Sequence, residues 1–87
     1  MTVPSAAPVD RLIRLPELLK LFGIKTTTCY DWIRRGLLPP GIRLGPRMVA
    51  WRLTAEIELL VALRVRGASD DEIRRTVSDL IVLREVA

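Results

Sequence analysis

Apolar residues recur at helical spacing in four stretches of the chain, and Pro or Gly falls between them. Leu18, Leu19, Leu21 and Phe22 form the first stripe, behind Pro16 where a helix needs no donor and Glu17 at the positive end of the dipole. Gly23 suits the left-handed residue that ends such a helix, so the pattern predicts a helix over 16–22 and makes Ile24 a buried turn residue. Alternating apolar positions over 11–15 predict a short extended lead-in. A second helix is predicted over 27–35, ending at Gly36. One of Lys25, Thr26 or Thr27 begins it, and a threonine is the better cap because its hydroxyl can accept an orphan N–H. At helical spacing Cys29, Trp32 and Ile33 share one face, while Thr27, Tyr30, Asp31 and Arg34 collect on the other, flanked by Thr28 and Arg35.

Pro39 and Pro40 cannot continue a helix, so 37–41 reads as a connector. Ile42 to Leu44 and Met48 to Trp51 then read as two short strands around the Gly45-Pro46-Arg47 turn. Thr54 is placed to cap a third helix over 55–66, with Ile57, Leu60, Val61 and Arg64 at helical spacing and Leu63 and Val65 broadening the apolar side. Glu56 and Glu58 read as acids near its positive end. Beyond Gly67, Ser69 and Glu72 have capping-box spacing, and Ile73, Val77, Leu80 and Ile81 form a stripe at i, i+4, i+7 and i+8, predicting a fourth helix over 70–84. The resulting fold class is mainly α with a small β-hairpin: a winged helix-turn-helix followed by an extra C-terminal helix. Three segments are expected: a flexible tail over 1–9, a helix-turn-helix domain over 10–66 and an amphipathic helix over 67–87.

With 87 residues there is room for one small domain and little for an enclosed active site. A 49% apolar fraction argues against a disordered chain. Charge is unevenly placed. Residues 10–66 hold 11 basic and 5 acidic side chains, or +6, whereas 67–87 hold 3 and 5, or −2. Positive charge therefore gathers in the module that would read a polyanion. Cys29 is the single cysteine, so no internal disulfide is possible, and a reducing cytoplasm is the expected compartment. The uncharged opening lacks the features of a signal peptide, and no stretch has the length of a membrane span.

Chemistry is sparse. There is no His, no set of metal ligands and no phosphate-cradling glycine loop, so no catalysis, metal or cofactor is expected and no small-molecule substrate is implied. Cys29 has no base to activate it and reads as a small core residue. Trp32 and Trp51 fall among apolar neighbours and also read as core. A helix-turn-helix lays its second helix in the major groove, where base edges are distinguishable. The candidate contacts are Lys25, Thr26, Thr27, Thr28, Tyr30, Arg34 and Arg35, with Arg43, Arg47 and Arg52 as wing charges beside the backbone or minor groove. The spacing equally fits a plain cap at 26–28, a partly buried Tyr30 and arginines that are only solvated helix ends.

The runs Arg14-Leu15-Pro16-Glu17-Leu18-Leu19, Thr28-Cys29-Tyr30-Asp31-Trp32-Ile33-Arg34-Arg35-Gly36-Leu37-Leu38-Pro39 and Leu44-Gly45-Pro46-Arg47-Met48-Val49-Ala50-Trp51 resemble the AlpA family of small winged-helix proteins, related to the MerR-like DNA-binding domain. The resemblance spans 11–66. It implies a phage or mobile-element DNA binder, either an excisionase (recombination directionality factor) or a transcriptional regulator of integrase or excision genes. Asp31 stands where such proteins often carry a basic residue, and Thr26 where an arginine is common. Double-stranded DNA is the expected partner, with an integrase and further copies of the chain as possible others, and no membrane. The expected role is to occupy attachment-site DNA, bend it or assemble along it, and bias an integrase toward excision. A protein-interaction adaptor is the alternative from another class. For the fourth helix two uses stand open: its stripe packs back on the chain, or Ile73, Val77, Leu80 and Ile81 dock on a partner or another copy.

Overall fold

The computed structural model of the chain describes residues 10–86; the tail expected over 1–9 lies outside them. The elements are β1 (Leu12–Ile13), α1 (Leu15–Phe22), α2 (Thr26–Arg34), β2 (Ile42–Gly45) and β3 (Met48–Arg52). A π-helical turn (Leu53–Glu58) then runs into α3 (Leu59–Arg66), and α4 (Asp70–Val86) follows. This is a winged helix-turn-helix with one further helix. The extended lead-in is a true strand. β1 pairs antiparallel with β3, Ile13 opposite Trp51, and β3 pairs with β2, Ile42 opposite Ala50, giving the order β1-β3-β2. Its pairing adds a third strand to the two predicted, and a two-strand hairpin alone is marginal.

One core serves the helices and strands β1 and β3. Ile13, Leu18, Cys29, Leu37, Leu38, Trp51, Ile57 and Leu60 are buried together, with Trp32 and Ile33 packed against them, as the face separation in α2 predicted. Trp51 donates from its indole N–H to the Pro39 carbonyl at 2.8 Å, which ties the proline connector to the central strand. Gly41 lies so close to that strand that a Cβ there would stand 2.7 Å from Val49 Cβ, so the hairpin closes on the absence of a side chain. Val65 departs from expectation: it is 83% exposed and adds nothing to the core. Arg64, on the apolar side of α3, lies with its guanidinium 3.7 Å from the centre of the Trp32 ring, itself edge-on to Phe22.

Two caps differ from the sequence expectation. Thr54 does not cap the third helix. The Asp10 carboxylate does, accepting from the backbone N–H of Thr54 at 2.9 Å and of Ala55 at 2.8 Å, so the α3 segment is anchored to the chain ahead of β1. α2 likewise starts without a threonine cap: Lys25 is its N-cap, and its side chain makes no capping bond. Ser69 does cap α4, its Oγ accepting from Glu72 N–H at 3.2 Å, while the Glu72 carboxylate turns away to pair with Arg66.

α4 belongs to the core. Ile73, Val77 and Leu80 are buried in the same cluster as Trp51 and Leu60, with Ile81 packed beside them, so the stripe offered as a partner or oligomer contact is consumed within the chain. The Gly67-Ala68 join is a closed turn: Gly67 sits at φ 85°, and Ala68 N–H donates back to the Leu63 carbonyl at 2.9 Å. Polar ties continue along α4. Arg74 Nε donates to the Arg35 carbonyl at the end of α2. Arg84 forms a bidentate pair with Glu56, at 2.6 and 2.7 Å, and also donates to the Pro40 carbonyl. Glu56 is 1% exposed, so this acid is the buried partner of a distant arginine and not the solvated first-turn residue that its position suggested.

Candidate nucleic-acid interface

α2 projects because its apolar face is held inward by the buried Cys29 and the half-buried Trp32 and Ile33, leaving the opposite face to solvent. Burial pushes the Cys29 thiol pKa up, away from the reactive thiolate, consistent with a packing role. On the outer face Thr27 is exposed, Tyr30 is 53% exposed, and the Arg34 side chain 77%. These three side chains thus face solvent. Tyr30 in particular is not a core aromatic.

The start of α2 adds backbone donors. The first bond of the helix runs from Cys29 N–H to the Lys25 carbonyl, so the N–H groups of Thr26, Thr27 and Thr28 precede the helical ladder. Lys25, Thr26 and Thr27 are exposed and Thr28 is half-buried. Free donors, a positive dipole end and a lysine together favour a phosphate oxygen. A threonine cap would have occupied one of those donors.

Arg34 and Arg35 are not free cations. Asp31 accepts from Arg34 at 2.8 Å and from Arg35 at 3.4 Å, and the Arg34 guanidinium, followed by that of Arg35, holds the Asp31 carboxyl below the usual carboxylate range. Arg43 and Arg47, in contrast, are exposed on the wing, and among the described residues neither forms an ion pair. Between Arg43 and Gly45 the β2–β3 register is irregular, and the turn exposes Leu44 and Met48 beside the two arginines. Arg52, at the inner end of β3, is only half-exposed. The structure therefore holds two basic surfaces, the α2 face and the wing tip, on separate elements with no hydrogen bond or ion pair joining them among the described residues.

Arg14 is a positioning residue that sequence reasoning missed. It is the N-cap residue of α1, and its Nε donates to the Val49 carbonyl at 3.0 Å, which fastens the wing strand to the first helix of the motif. No local pattern could have found it, since 35 positions separate the partners.

A second helix held on one face and open on the other, in a chain that also carries a basic wing, is the architecture of the class of helix-turn-helix regulators. The chain belongs to the AlpA family: residues 11–64 match the family described as Prophage CP4-57 regulatory protein (AlpA). It is also similar to a protein of Enterobacteria phage P4 named uncharacterized protein ORF88, 37% identical over 75 residues, spanning 74% of this chain and 84% of that one. No solved structure matches the chain. No helix among the described residues is long and apolar enough to cross a membrane.

Proposed function

We propose that this chain is a sequence-specific DNA-binding protein of a phage or mobile element, acting by binding and not by catalysis. α2 enters the major groove with Thr27, Tyr30 and Arg34 toward the bases, the N-terminus of α2 and Lys25 take phosphates, and Arg43 and Arg47 place the wing on the backbone or minor groove. The observation that carries this reading is the solvent-facing stripe of α2, polar and basic directly behind a buried face.

Its output is recombination directionality. The protein occupies attachment-site DNA as an excisionase, and bending that DNA costs about 1–6 kcal/mol that contacts from the wing and from several bound copies offset. The family description as a regulatory protein favours a second reading on the same surface, a transcriptional regulator of integrase or excision genes. An excision reaction with the cognate integrase and attachment sites separates the two. Stimulation of excision supports the first role, and promoter occupancy without any effect on recombination supports the second.

Binding itself is tested by a salt series on duplex DNA. With about five phosphate contacts, log affinity is expected to fall against log salt with a slope near −4 to −5. A chain that fails to bind duplex at low salt would instead be a protein-interaction adaptor.

A further inference from the structure

The outer face of α2 carries one acid, and it stands between the two arginines offered to DNA. A carboxylate facing a polyanion weakens association, and a surface ion pair stabilises a helix only slightly. Asp31 therefore needs a role that neither electrostatic attraction nor folding supplies. Its geometry offers one. Arg34 Nη2 donates to Asp31 Oδ1 at 2.8 Å, which fixes the guanidinium while leaving the Nη1 donors and the second Nη2 proton directed elsewhere. That remaining end is the one an arginine uses to donate to both O6 and N7 of a guanine. Arg35 Nη1 occupies the other oxygen, Oδ2, at 3.4 Å. With an arginine on each oxygen, Asp31 is placed to act through its arginines. The backbone under this arrangement is also held, since the Arg35 carbonyl accepts from Arg74 Nε of α4 at 3.0 Å.

We propose that Asp31 is a positioning residue that determines specificity: it orients Arg34 to read a guanine and withholds that guanidinium from the phosphates of non-cognate DNA. The inference rests on the major-groove reading of α2. A flexible arginine can meet phosphate anywhere along a duplex, whereas an arginine tied to a carboxylate exchanges that bond only where a base edge gives a matched pair of acceptors. Asp31 thereby lowers affinity for random sequence more than for the target.

The test compares wild type, Asp31→Ala, Arg34→Ala and the double variant on a duplex selected by the wild-type protein from a randomised pool, and on random duplex. Asp31→Ala is expected to bind random duplex more tightly, with a salt slope steeper by about 0.9 for one added phosphate contact. The cognate-to-random affinity ratio is expected to fall about tenfold, the scale of one base pair no longer read. In the Arg34→Ala background the same change should cost no further selectivity. An Asp31→Ala protein with unchanged ratio and salt slope would overturn the proposal and leave Asp31 as a helix-surface ion pair. Further loss in the double variant would overturn it differently, by making Asp31 a direct base contact. Wild type without duplex affinity at low salt would remove the DNA reading itself, an outcome distinguishable from both.

Discussion

Arg34 and Arg47 carry the same charge, yet their surroundings assign them different work. Arg34 is tied to Asp31 on the reading face, whereas Arg47 projects from the wing turn with no ion pair among the described residues. Arg34→Ala is expected to cost about 1–3 kcal/mol of discrimination at one base position while leaving random-sequence affinity nearly unchanged. Arg47→Ala is expected to weaken all sequences alike and to flatten the salt slope by about 0.9. Competition binding with single-base variants of the target decides the matter, and equal effects of both changes on specific and random DNA would refute the division. Asp10 acts at the same scale but on stability. Partial burial raises its pKa, but the N–H donors of Thr54, Ala55 and Arg11 outweigh that and bring it below the ordinary 3.8. A carboxyl whose folded pKa is depressed contributes stability that is complete above its unfolded pKa and is lost as pH falls through the folded one. Asp10→Ala should therefore cost about 1 kcal/mol near neutrality, typical of a lost N-cap, and the cost should vanish as acid protonates the wild-type group. Urea melts at pH 7 and at a series of acid pH values below 3.8 follow the loss.

Elements were legible in the sequence where the determinant is local. Pro16 and Gly23 bracket α1, and Ser69 starts α4, because each acts within a turn of its own position. The hairpin and the two faces of α2 were legible for the same reason, since strand and helix periodicity need only neighbouring residues. Determinants that cross the chain were not. Thr54 has the right chemistry for a cap, but Asp10 takes the N–H groups of Thr54 and Ala55 from 44 residues away. β1 was visible as an extended stretch, while its pairing with β3 depends on where the chain returns. Glu56 and Arg84 each sit where a helix dipole would favour them, which concealed their mutual pairing across 28 positions. The Glu56–Arg84 pair fastens the C-terminal half of α4 to the segment entering α3. With Glu56 at 1% side-chain exposure and Arg84 at 15%, removing either partner strands a buried charge, so Glu56→Ala or Arg84→Ala should each cost about 3–5 kcal/mol. Because both changes delete one interaction, the double variant should lose much less than the sum. Chemical denaturation of the four proteins checks this, and additive losses would show that the pair is not a unit.

At the scale of the whole molecule, the open question in the sequence was whether the helix after Gly67 completes the core or waits for a partner, and the apolar stripe alone fits both. Burial decides it, because Ile73, Val77 and Leu80 share one cluster with Leu18, Trp51 and Leu60, and Arg74 and Arg84 fasten polar groups of α2 and the connector. The family match ends at residue 64, before α4 begins, so the part of the chain that carries the family likeness shares its core with a helix outside it. A small chain has about 0.05–0.15 kcal/mol of stability per residue, and each large aliphatic side chain withdrawn from water contributes about 1.5–3 kcal/mol. Losing three such side chains and the partner of Glu56 together matches or exceeds what a domain of this size has to spare. A chain ending at residue 66 should therefore show no cooperative thermal transition and bind duplex weakly and without sequence preference. In the 87-residue chain, Ile73→Ala or Leu80→Ala should cost about 2–5 kcal/mol each, with selectivity at the target unchanged wherever the variant remains folded. Circular dichroism melts and footprinting at a temperature below the variant's transition give the two readouts. A truncated chain that melts cooperatively and still selects its target would return α4 to the role of a detachable partner-binding helix.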